Sequence, residues 1–115
     1  MWDDFVVIDA TTADELGLTA VPAPLHRRFA LGAIYCTPNA LDLLISLDVA
    51  SANLLERHAA GDWGDIDAED RGLNDHALQI GARVFSVYAV GAEARAWIIT
   101  EADRASTTIL LPSEY

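Results

Sequence analysis

The chain has 115 residues, with 18 acidic side chains against 7 basic ones and a net charge of −11. At 52% hydrophobic residues it can build a core, which excludes intrinsic disorder, a state of high charge and low hydrophobicity. The charge also excludes an ordinary DNA or RNA binder, because neutralising phosphates takes a basic surface.

All seven basic residues are arginines: Arg27, Arg28, Arg57, Arg71, Arg83, Arg95 and Arg104. Without a lysine the chain can run neither Schiff-base chemistry nor a P-loop. The single Cys36 forms no internal disulfide and no zinc cluster, so a reducing cytoplasm is the expected compartment. Met1-Trp2-Asp3-Asp4 lacks the basic region of a signal peptide, and no apolar run approaches the roughly 20 residues of a membrane span.

In chain order, residues 5–9 read as a short strand. Residues 10–25 hold Gly17, Pro22 and Pro24 and read as a loop or arm. Phe29 to Tyr35 reads as a second extended stretch. Thr37-Pro38 starts a helix, Thr37 as its cap and Pro38 at a position that needs no N–H, and that helix runs to Ser46. Asp48 is the expected cap of a second helix with Val49, Ala52, Leu55 and Ala59 as its apolar stripe, ended near Gly61. A third helix is predicted over 68–80 behind Asp67, with Leu73, Ala77 and Ile80 as its stripe and Gly81 as its terminator. Asp67, Glu69 and Asp70 favour its N-terminal dipole.

The period then changes. Residues 83–90, 95–100 and 107–111 are rich in β-branched and aromatic residues and are joined by short links, which predicts an antiparallel meander. The fold class is therefore α+β: two to three helices followed by a three-stranded antiparallel sheet, extended by the N-terminal strands. One domain spans 1–115, with an arm at 1–25, a helical part at 37–80 and the sheet at 83–112. Strand 83–90 is apolar on both faces, so its second face needs cover, from the N-terminal arm or from a second subunit.

The densest chemical feature is acidic. Asp62, Asp65, Asp67, Glu69, Asp70 and Asp75 crowd one stretch with only Arg71 as a cation. Counted from Asp65, an EF-hand would need glycine at the sixth place and a carboxylate at the twelfth. Asp70 and His76 stand there instead, so no metal site is expected. Two readings remain: a solvated loop with helix caps, or a recognition surface that meets a basic partner. In the second, Asp62, Trp63, Asp65, Asp67, Glu69 and Asp70 form the contact, with Trp63 as an anchor of the kind enriched at interface centres. Trp63 as a pin between loop and core is the competing role.

His26, His58 and His76 are the histidines. A compact ribonuclease or phosphate-handling site would draw on His58, His76, Arg104 and Thr107: a general base beside an arginine that grips phosphate. The alternative is that the two helical histidines are polar helix positions and the threonines strand formers. GxSxG, HExxH, CxxC and Gly-rich phosphate loops are all missing, and no cofactor is implied.

As a set, Arg57-His-Ala-Ala-Gly-Asp-Trp-Gly-Asp65, Glu69-Asp70, Asn74, Ala77-Leu78, Trp97-Ile-Ile-Thr-Glu-Ala-Asp-Arg104, Thr107-Thr108, Leu110-Leu111-Pro112 and Glu114-Tyr115 resemble a family of small uncharacterised bacterial proteins carried by plasmids, phages and integrated elements. Phe29-Ala-Leu-Gly32 and Thr37-Pro-Asn-Ala-Leu41 fit as well, so the resemblance covers residues 29–115. It implies mobile-element cargo and no particular activity. The order of helices then meander is also similar to small ribonuclease toxins of the RelE and colicin type, which hold RNA with cations. The function expected first is thus a non-enzymatic accessory protein of a mobile element. It would bind a host protein of basic surface, for example a nucleic-acid-handling defence factor, with no direct nucleic-acid or membrane contact. A ribonuclease and a homodimeric structural module stand as the alternatives.

Overall fold

The computed structural model describes residues 6–8 and 27–115. Five strands, β1 (Val6–Ile8), β2 (Ala33–Cys36), β3 (Val84–Ala89), β4 (Arg95–Thr100) and β5 (Ser106–Leu110), form one sheet in the order β1-β2-β5-β4-β3. Three helices, α1 (Pro38–Ser46), α2 (Ser51–Ala59) and α3 (Ala68–Ile80), lie between β2 and β3 in the chain. The fold is α+β.

The meander β3-β4-β5 is antiparallel, in register from Val84 opposite Thr100 to Trp97 opposite Leu110. The sheet as a whole is mixed, because β2 runs parallel to β5 and β1 antiparallel to β2. Gly32 permits the parallel pairing. It has φ +66°, and a Cβ there would lie 2.4 Å from the Ala105 carbonyl, which accepts the Ala33 N–H at 2.9 Å. The extended stretch expected over 29–35 narrows to Ala33–Cys36.

α1 starts as its sequence dictates: the Thr37 hydroxyl accepts the Ala40 N–H at 3.1 Å and Pro38 opens the first turn. Thr37 also donates to Glu114 at 2.7 Å. That contact ties the short 3₁₀ turn Pro112–Glu114 to the cap. α3 is capped by Asp67, which accepts the Asp70 N–H at 2.8 Å, and it ends on a left-handed Gly81. α2 departs from expectation at its start. Its cap is Ala50, with no side-chain bond, while Asp48 sits at φ +55° in the turn between the helices.

The helices bury one face of the sheet. Leu44, Leu54, Leu55 and Ala59 meet Cys36, Tyr88, Ala96, Ile98 and Ile109 in the main core. Trp63, Ala77 and Val84 form a smaller core with Phe29, Ile66 and Leu78 around them. The apolar stripe expected for α3 is corrected here. Asn74 and Ala77 face inward, and Leu73 and Ile80 are 59% and 62% exposed. Asn74 sets that rotation. Its side chain donates to the Phe85 carbonyl at 2.7 Å and accepts the Phe85 N–H at 3.2 Å.

β3 is an edge strand, and its outer side is closed by side chain and loop together. Beyond the Asn74 pair, Val87 donates to the Trp63 carbonyl at 3.0 Å and accepts the Asp65 N–H at 2.6 Å. Gly64 makes this approach possible, since a Cβ there would lie 2.0 Å from the Val87 oxygen. A blocked edge removes a template for pairing with other chains. On the sheet face away from the helices, Val87, Ile99 and Leu110 are buried and Trp97 packs on Tyr115 with centroids 5.3 Å apart. Of the arm at 1–25 offered by the sequence as cover for this face, β1 pairs with β2 at the edge of the sheet opposite β3, and the rest lies outside the described residues.

Candidate functional site

The acidic stretch occupies the loop that crosses the β3 edge and the first turn of α3. Most of its charge is used within the chain. Asp62 accepts from Arg57 at 2.7 Å and from the Gly64 N–H at 3.2 Å. The Arg57 hydrogen bond holds its carboxyl below the usual range. Asp65 pairs with Arg95 at 2.5 Å, Asp67 caps α3, and Asp75 accepts from Trp63 Nε1 at 3.2 Å and lies 3.7 Å from Arg28. Glu69 and Asp70 differ: no cation among the described residues pairs with either side chain.

Trp63 does not belong to an exposed contact surface. It is 3% exposed, stacked on Phe29 at 6.0 Å and edge-on to His58 at 5.7 Å. The loop turns it inward because Val87 bonds the carbonyl of Trp63 and the N–H of Asp65 and Asp75 receives the indole N–H, so its role is the pin between loop and core. Of the six residues expected to contact a partner, Trp63 is withdrawn. Asp62 and Asp65 remain exposed but carry their own arginines.

The other candidate set centres on His58, which is fully buried. Its Nδ1 lies 2.5 Å from Ser86 Oγ and its Nε2 2.8 Å from Thr100 Oγ1. Thr100 Oγ1 is 2.7 Å from Thr107 Oγ1, and Thr107 donates to the Leu31 carbonyl at 2.7 Å. Each hydroxyl has one proton, so the direction of the chain follows. Thr107 spends its proton on Leu31, so Thr100 donates to Thr107 and accepts from His58. His58 is thus protonated on Nε2, and its bare Nδ1 accepts from Ser86. Burial, with a lesser contribution from the charge of Arg104, lowers the His58 pKa to about 3.

This arrangement holds structure and leaves nothing for a substrate. A general base must reach the proton it removes, and both ring nitrogens of His58 are bonded inside the core. Thr107 is equally buried. Arg104, at φ +60°, donates to the carbonyls of Ala82 and Glu101 at 2.7 and 3.0 Å and lies over the Phe29 ring. His76 stands exposed on α3, so the four residues do not assemble into one cleft. Sequence reasoning passed over Ser86 and Thr100 as partners of His58. The signal was there: small polar residues on the strand positions that face a helix.

A shallow cleft of about 230 Å³ is lined by Arg57, Asp62, Gly64, Asp65, Val87, Tyr88 and Ala89. Arg57 lies over the Tyr88 ring at 4.5 Å, and the Tyr88 hydroxyl donates to the Asp62 carbonyl at 2.5 Å. Among the described residues, no group of three or more His, Cys, Asp or Glu could hold a metal ion, and no helix is long and apolar enough to cross a membrane. No family model, curated protein or solved structure matches the chain.

Proposed function

We propose that the protein is a non-enzymatic binding protein whose partner is a protein with a basic surface. On the resemblance drawn from its sequence, it serves a mobile genetic element by binding a protein of the host. One observation carries this reading: the cations are consumed within the chain, and some of the carboxylates are not. Arg27, Arg57, Arg83 and Arg95 pair with Glu56, Asp62, Glu101 and Asp65, and Arg28 lies by Asp75. Arg71 and Arg104 donate to backbone carbonyls. Glu69 faces outward beside the exposed Asp67, with Asp70 half-buried next to them, and none of the three pairs with a cation among the described residues, so a basic partner can supply that charge. A field of this kind steers a basic partner into encounter and repels phosphates.

The test is capture from host lysate on immobilised protein, comparing the wild type with the Glu69→Gln/Asp70→Asn variant. A basic protein should be retained at about 50 mM salt and released at about 500 mM, because screening shortens the range of exposed charges. The variant should not retain it. Retention indifferent to salt, or equal in the variant, refutes the reading.

A further inference from the structure

We propose that the outward face of α3 is a docking surface for a basic amphipathic helix of a partner protein, with Leu73 and Ile80 as its anchors. The inference rests on the basic-partner reading and adds to it a place and a mode of contact.

Three observations on one helix face converge. Leu73 and Ile80 are 59% and 62% exposed. They stand seven residues apart, about 10 Å along a helix at 1.5 Å per residue, with Glu69 and His76 on the same side. That is the spacing of anchors in helix recognition. The rotation that brings Asn74 to Phe85 has put them outside, and nothing among the described residues buries them.

The second observation is Gly72. It lies within α3, is exposed, and a Cβ built on it would meet nothing within 4 Å. A glycine inside a helix costs stability relative to alanine, and no contact among the described residues requires it. Its bare backbone lies next to His76 on the same face and lets a second helix approach closely, since interaxial distance is set by the side chains at the contact.

The third is charge. Exposed Glu69 stands at the N-terminal end of this face, with Asp67 and the half-buried Asp70 beside it, and no cation among the described residues pairs with them. A second copy is a poor occupant. Two α3 faces would set like charges together, and all seven arginines of each copy are already engaged. The occupant must bring its own lysines or arginines.

The probe is a dye-labelled helical peptide with leucines at i, i+3, i+4 and i+7 and lysines on its flanks, titrated into the ¹⁵N-labelled full chain. Binding should shift the amides of Gly72, Leu73, His76 and Ile80. Leu73→Ser/Ile80→Ser should weaken it at least tenfold with the circular dichroism unchanged. Gly72→Ala should raise Tm yet weaken binding several-fold, an opposition that a purely structural glycine would not produce. Equal affinity for a peptide with glutamates in place of its lysines overturns the proposal, as does an unchanged affinity in the double variant. Shifts confined to the Asp62–Asp65 cleft overturn it while leaving the basic-partner reading intact. Self-association abolished by Leu73→Ser/Ile80→Ser overturns it in favour of a second copy. Failure of the peptide to shift any amide also overturns it, and the lysate experiment then decides the broader reading on its own.

Discussion

Acid should destabilise this protein through one residue well before its carboxylates protonate. Folded His58 stays neutral down to about 3, against an ordinary value of 6.5. The unfolded chain therefore takes up the proton first. The stability that neutral His58 contributes is complete above pH 6.5 and is lost as pH falls from there toward 3. The slope is about 1.4 kcal/mol per pH unit, so moving from pH 7 to pH 5 should remove about 2 kcal/mol, a large share of a small domain's margin. Asp62, whose pKa is also depressed, loses its contribution only at lower pH, below its ordinary value of 3.8, which leaves the window from 7 to 5 to His58. Urea unfolding at pH 7, 6 and 5 measures the slope, with His58→Gln as the reference that should lack it. Imidazole ¹⁵N shifts should report Nε2 protonated and Nδ1 bare in the folded state. A folded-state midpoint near 6.5, or the same slope in His58→Gln, would refute both the buried chain of hydroxyls and its direction.

Two further outcomes follow from the same packing. Asn74→Asp keeps the shape but removes the donor to the Phe85 carbonyl. It should cost about 1–3 kcal/mol, the usual penalty for a buried group left unsatisfied, seen as a lower midpoint in urea together with faster aggregation from the opened β3 edge. Cys36 is fully buried, and burial, aided by the charge of Glu114, pushes its thiol up to about 12. A thiol reagent should leave it untouched in the folded protein and modify it promptly in denaturant, because the thiolate is the reactive form. Ready modification under native conditions would place Cys36 elsewhere than against α1.

Local signals carried much of the fold. Thr37-Pro38, Asp67 and Gly81 fix the limits of two helices by chemistry within a few residues, and the meander follows from short links between β-rich segments. What escaped was non-local. The parallel pairing of β2 with β5 joins Ala33 to Ser106, a contact that no window of sequence contains. The rotation of α3 was misread because periodicity weighs Leu73 and Ile80 by hydrophobicity alone. The strongest demand on that helix is polar, the two backbone groups of Phe85 that only an amide side chain such as Asn74 can satisfy together. The site divided in the same way. Asp67 was legible as a cap and Trp63 as a pin between loop and core, whereas the pairing of Asp65 with Arg95, 30 residues away, needed the loop laid against the β3 edge.

The strand order also dictates a folding sequence. β5 sits between β2 and β4, so the two N-terminal strands have no continuous sheet to join until residues 106–110 have been synthesised. The helices and the β3-β4 hairpin can organise early from nearby partners. Closing β2 onto β5 must span the whole intervening chain, and contacts of long sequence separation slow folding. Until β5 is made the nascent protein can pair β1 and β2 only with each other, and joining that pair to the sheet is the step at which a chaperone or a competing strand would intervene.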